Sequence, residues 1–191
     1  MTRDNLAFLE QPAAVVACEL LGWELILETE QRLLRGRIVE TEAYDQSDAA
    51  SHSYKGRTPR TDIMFGPAGF LYVYFTYGMH YCANVVTGPE GEGSAVLIRA
   101  LEPLEGQDIM TQNRKGRGGR DLTNGPAKWC QAYGIERTWN GHDLQKSPLT
   151  LVHDAAEEPF EIVQTTRIGI SEAKDVPWRF YISGNTYVSK L

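Results

Sequence analysis

The run FLYVYFTYGMHYCANVVT (residues 70–87) constrains the fold of this chain more than any other stretch. β-Branched and aromatic residues fill both arms, and Gly78 sits between them where a reversal needs a residue free to adopt positive φ. Two strands joined this closely must pair antiparallel. Alternation then sorts their side chains: Leu71, Val73 and Phe75 share one face, Tyr72, Tyr74 and Thr76 the other. Tyr77 leads into the turn, and Met79 and His80 follow it. On the return arm Cys82, Asn84 and Val86 share a parity. Asn84 is unusual there, because asparagine is depleted in strands and a buried amide needs partners.

Other elements follow from similar patterns. Pro12 followed by AAVVACELLG predicts a helix with proline in its first turn and Gly22 past its end. Residues 23–29 and 33–43 predict strands, as does AVLIRAL (95–101). The polar, turn-rich segment 45–66 predicts a long loop of the kind that often carries function. Thr123 and Asn124 before Gly125-Pro126 mark a helix start, and Gly134 a helix end. LTLVH, RIGIS and RFYIS predict strands in the last third. The order implies an α+β fold, one mixed domain over 1–191, with a largely antiparallel sheet and helices packed around it.

Two polar features break the strand patterns. In RIVETEAY, Glu40, Glu42 and Tyr44 fall on one face, spaced about 7 Å apart, which suits either a solvated outer face or a functional one. Arg99 lies inside an apolar strand, where a guanidinium is rarely buried unpaired, so a carboxylate should face it. That pairing is open to a structural or a functional reading.

The 191 residues suffice to bury roughly 70% of the unfolded surface without a disulfide or metal staple. Cys18, Cys82 and Cys130 are odd in number and form no CxxC, which points to a reducing compartment. The apolar patch 13–27 is interrupted by Glu19 and Glu24 and is too short to span a bilayer, so no membrane partner is expected. A net charge of −6 argues mildly against nucleic acid, yet Lys55, Arg57 and Arg60 cluster without an acid, as do Arg114, Lys115, Arg117 and Arg120. RKGRGGR reads as a flexible basic loop, either merely solvated or binding phosphate.

VETEAY (39–44), ASHSYKGRTPR (50–60), MFGPAGFLYVYFTYGMHYCANVV (64–86), VLIRALEPLEG (96–106) and LTNGPAKWCQAYGI (122–135) together resemble the alkyladenine (3-methylpurine) DNA glycosylase family. The resemblance runs in order from about residue 8 to RFYISGNTYVS near the end. It implies a single mixed domain with a curved antiparallel sheet and a protruding hairpin. It also implies roles. Glu42 would activate the water, with Arg99 beside both. Tyr44, His52 and Tyr74 would sandwich a flipped purine, and Asn84 would disfavour a 2-amino group. Tyr77 would be the wedge that fills the stack. Arg57, Arg60, Met79, His80, Lys115 and Arg117 are expected along the DNA backbone.

The implied chemistry is base excision repair by a monofunctional glycosylase without cofactor or metal. The partner is duplex DNA containing damaged purines, and the chain is expected to act as a monomer. The resemblance further implies a cytoplasmic, nucleoid-associated protein in a bacterium, or a nuclear one in a eukaryote. His52, His80, His142 and His153 show no ligand spacing, so no metal site is expected. Two rivals are a catalytically silent nucleic-acid-binding domain, which would not need Glu42 and Arg99, and a carbohydrate glycosidase using Glu40 and Glu42. The second fits poorly, since such carboxylates flank the bond rather than project from one side.

Overall fold

Strand β2 (Arg32–Tyr44), thirteen residues long, is the spine on which the rest is assembled. The computed structural model describes residues 6–153 and 159–190. Along one edge β2 pairs with β5 (Ala95–Glu105); along the other it pairs first with β1 (Glu24–Thr29) and then with β8 (Arg179–Ile182). Register shifts at Arg35/Gly36, Ile38/Glu40 and Glu40/Thr41 bend it, and one strand thereby serves two neighbours on the same edge. The hairpin of β3 (Leu71–Thr76) and β4 (His80–Val86) extends the sheet beyond β5. β6 (Leu149–Val152) closes the far side against β1, and β7 (Ile162–Thr165) pairs with β8. All these pairings are antiparallel, and the eight-stranded sheet curls strongly in a single mixed α+β domain, as expected.

Helices α1 (Ala13–Glu19), α2 (Gln107–Asn113) and α3 (Pro126–Tyr133) pack on this sheet. α3 begins with Pro126 and ends where Gly134 turns left-handed, so that Ile135 N donates to Cys130 O at 2.7 Å. It carries the completely buried Trp129 and Tyr133, each contributing about 1.5–3 kcal/mol of burial. Trp129 Nε1 donates to Ile98 O at 2.8 Å. Gly36 permits this packing, since a Cβ there would stand 2.6 Å from the Tyr133 hydroxyl oxygen.

Three expectations are corrected. RIGIS (167–171) forms no strand; the strand is Ile162–Thr165, because the side chain of Arg167 and the backbone of Ile168 are committed to partners on β2 and on the loop after it. β5 continues to Glu105 and is followed directly by the unforeseen α2. The RKGRGGR tract is anchored rather than freely flexible: buried Arg114 donates to Gln131 Oε1 at 2.6 Å and Asp121 O at 3.1 Å. Lys115 and Arg117 remain exposed. The long loop 45–66 contains one short 3-10 turn, Asp62–Phe65.

Candidate active site

The carboxyl-terminal half of β2 presents two different faces. Val39 and Ala43 enter the apolar core, and Thr41 Oγ1 donates to Ala17 O at 2.6 Å. Glu40 and Glu42 lie on the other face, and the reading of that face as solvated is wrong: both carboxylates are completely buried. Burial of such charges is tolerated only when they are paired and hydrogen-bonded. Arg99 supplies the pairing expected of it, with Nε donating to Glu40 Oε1 and Nη1 to Glu42 Oε2, both at 3.1 Å. Burial pulls the Arg99 pKa down, but Glu42 and Glu40 outweigh it and the net shift is upward. Arg179 Nε donates to Glu40 Oε1 at 2.7 Å. Two carboxylates therefore face two guanidinium groups.

Glu42 has two further donors. Tyr44 Oη donates to Oε2 at 2.8 Å and Ile168 N to Oε1 at 2.7 Å. A carboxylate offers about four acceptor positions, so three donors leave room for one more. Burial, followed by the charge of Glu42, pushes the Tyr44 pKa far upward, which keeps its phenol a donor.

Tyr44, Arg99 and Ile168, the three donors to Glu42, also form part of the wall of a cavity of about 510 Å3, with the Glu42 carboxylate behind them. Loop residue His52, the inward face of the hairpin with Tyr72, Tyr74, Cys82 and Asn84, the tip residue Tyr77 and residues 168–171 also line it. The register pairs Tyr72 with Asn84 and Tyr74 with Cys82, which puts these four on one face as alternation requires. The tyrosine rings stack at 5.7 Å and 26°. His52 stands edge-on to Tyr74, with centroids 4.6 Å apart at 86°, and its Nδ1 lies 3.0 Å from Tyr72 Oη. A planar ligand can stack on Tyr74 and His52 together only after the imidazole turns. Desolvation against the tyrosines, and then Arg60, lower the His52 pKa to about 4, so the ring is neutral at pH 7. Asn84 Nδ2 donates to Tyr72 O at 3.2 Å, fixing the amide in the cavity wall. The Cys82 thiol is raised to about 11 by burial and stays protonated.

The hairpin tip is strained and exposed. Tyr77 and Gly78 both have positive φ (51° and 68°), and Met79 N donates to Thr76 O at 3.3 Å, a tight turn suited to the strand twist. Glycine adopts this conformation freely, whereas tyrosine there costs about 1–2 kcal/mol. Tyr77 is nonetheless 83% exposed and Met79 70%, so the strain holds an aromatic ring in solvent. On the other side of the hairpin, Met79, His80 and Lys115 line a second groove with residues of α3. Arg60 does not line the first cavity but stands against two residues that do, its guanidinium 5.8 Å from the Tyr74 ring centroid and Nη2 3.4 Å from His52 Nε2. Arg57 is partly committed, with Nε donating to Asp62 at 2.6 Å, and Arg117 is exposed on the loop of Lys115.

Several site residues escaped the sequence reading. Arg167, with its side chain fully buried, pairs with Asp48 through both terminal nitrogens and donates to Ala43 O at 2.8 Å. Its guanidinium lies 4.7 Å from the Tyr44 ring and 5.4 Å from that of Trp178. These contacts hold the segment whose Ile168 N–H meets Glu42. Ser189 contacts Glu40 through both its backbone N and its Oγ. The signal was available for Arg179, an arginine in the apolar run VPWRFYI as Arg99 is in AVLIRAL; Arg167 follows the polar QTT and carried no such signal.

Residues 7–186 match the family model described as methylpurine-DNA glycosylase. A protein of Carboxydothermus hydrogenoformans is 52% identical over 96% of both chains. Proteins of Methanoculleus marisnigri (49%; 96% of this chain, 97% of the relative) and Desulfitobacterium hafniense (48%; 99% of both) are similar too. All three carry the provisional name 3-methyladenine DNA glycosylase. With an aromatic cavity against a buried carboxylate, and a match covering nearly its whole length, the chain belongs to the methylpurine-DNA glycosylase family.

Proposed function

We propose that this chain is a monofunctional DNA glycosylase that acts as a monomer on duplex DNA, excising alkylated or deaminated purines by hydrolysis. The observation that carries this reading is Glu42: a buried carboxylate with one acceptor position left over, held by three groups of which each lines the aromatic cavity. A base inside a duplex is out of reach, so it is turned out into that cavity; glycosylases are the standard example of base flipping. Tyr77 fills the gap in the stack. Inside, Tyr44, Tyr74 and a rotated His52 grip the base, each stack being worth about 1–3 kcal/mol. A neutral His52 does not repel a cationic alkylpurine, and the tyrosine faces attract it.

A water seated on the free position of Glu42 attacks C1′ and transfers its proton to the carboxylate. The C1′–O bond forms as the C1′–N bond breaks, and the purine leaves with the electron pair. The Glu42 charge stabilises the positive character that develops on the sugar. Arg99 and Tyr44 orient the carboxylate throughout. A base already cationic at N3 or N7 leaves readily, which favours methylated purines. The test is release of free purine from duplexes carrying 3-methyladenine, 7-methylguanine, ethenoadenine or hypoxanthine. Excision of a methylated purine is expected; binding without release from any of the four would refute the enzyme reading.

A further inference from the structure

Glu40 takes no part in the reaction above, yet it is completely buried and more heavily hydrogen-bonded than Glu42. Its Oε1 accepts from Arg99 Nε (3.1 Å), Arg179 Nε (2.7 Å) and Ser189 Oγ (2.9 Å), and its Oε2 accepts from Ser189 N (2.7 Å). Two of these donors come from the stretch 187–190, which is itself held down at several points. Val188 is completely buried, its carbonyl accepts from Arg120 at 3.2 Å, and the Lys190 carbonyl accepts from Arg179. Arg120, at the end of RKGRGGR, is thus turned to this stretch. Arg99 Nη2 reaches Ser189 Oγ at 3.5 Å while Nη1 holds Glu42.

We propose that residues 187–190 form a latch over Glu40 that sets the orientation of Arg99 on Glu42, making Ser189, Glu40 and Arg179 positioning residues for the hydrolysis. The proposal rests on the reading of Glu42 as the base. The reasoning is geometric. Arg99 is shared between two carboxylates, and a guanidinium fork has fixed angles. Where its Nε is held therefore decides where its Nη1 points. Glu40 holds that Nε, and Ser189 fixes Glu40 through both its backbone N and its hydroxyl. Without the Ser189 hydroxyl, Glu40 Oε1 loses one of its three donors and Arg99 loses its third acceptor. The guanidinium can then settle toward Glu40 and away from Glu42. None of these groups lines the cavity except Arg99, so loss of the latch should slow the chemistry without weakening the grip on DNA.

The experiment measures single-turnover release of methylpurine, and separately the affinity for the duplex, on methylated DNA. It compares wild type with Ser189→Ala, Ser189→Thr, Glu40→Gln and Glu42→Gln. Ser189→Ala is expected to be about tenfold slower, the scale of a sub-ångström misplacement, with affinity within about twofold of wild type. Ser189→Thr restores the hydroxyl and the rate. Glu40→Gln also slows release, but less than Glu42→Gln. A Ser189→Ala rate equal to wild type, a loss that appears in affinity alone, or no rescue by threonine would overturn the latch. Should Ser189→Ala not fold, Glu40→Gln decides by the same split between rate and affinity. Full activity in Glu42→Gln would instead refute the proposed reaction and leave the latch geometry untouched.

Discussion

Arg167→Met removes a buried charge and keeps much of the side-chain volume, so its consequences can be worked out from the contacts. The guanidinium is paired with Asp48, whose side chain is 2% exposed, and it lies against the rings of Tyr44 and Trp178. Methionine can still pack between those rings, which limits the cavity cost. The dominant loss is the Asp48 carboxylate left buried without its counterion, worth about 3–5 kcal/mol. That is a large part of a typical stability of about 5–15 kcal/mol. With an m value of about 2 kcal/mol/M, the urea midpoint should fall by about 2 M at unchanged slope. Excision should fall as well, because residues 168–171 lose their anchor and Ile168 N its fixed place on Glu42. Asp48→Asn combined with Arg167→Met removes both charges, so the double variant should be more stable than the two single losses added together, by at least about 1 kcal/mol. A loss below about 1 kcal/mol for Arg167→Met, or strict additivity in the cycle, would refute the claim that this pair braces the site.

Tyr77→Gly should relieve the left-handed strain and leave the fold intact while weakening retention of the flipped base, measured as a faster return to the stacked state; unchanged retention would deny Tyr77 the wedge role. His52 should titrate near pH 4, seen by ring proton shifts. With its folded value below the unfolded one, it leaves stability unchanged above about pH 6.5 and reduces it as pH falls toward 4. A midpoint at or above 6.5 would contradict the geometry. Charge reversal at Arg60, Lys115 or Arg117 should flatten the salt dependence of DNA binding by about one unit per lost phosphate contact, and Arg57 less, because Asp62 already neutralises it. An unchanged slope in all of them would move DNA to another face.

The hairpin was legible because strand alternation is local: Tyr72, Tyr74, Cys82 and Asn84 could be put on common faces without knowing what lay opposite. Arg99 was legible for a different reason, since a guanidinium in an apolar strand requires an acid whatever the fold. The same rule applied to Arg179, within VPWRFYI, would have marked it as the partner of a buried acid, here Glu40. RIGIS has the alternation of a strand, and nothing local reveals that its backbone serves Glu42 instead. The burial of Glu40 and Glu42 was equally invisible along the chain, because it depends on β5, β8 and residues 187–190 closing over them. The helix after Glu105 follows a strand with no loop to announce it, and its polar sequence QDIMTQN gives little periodicity to read.

Glu42→Gln tests the central claim most directly. The substitution keeps the shape and the hydrogen-bonding reach of the side chain while removing the proton acceptor and the negative charge. Single-turnover release of methylpurine from a methylated duplex should fall by at least about 100-fold, with DNA affinity retained. Release at the wild-type rate, or a Glu40→Gln variant that loses more than Glu42→Gln, would contradict the assignment of Glu42 as the base.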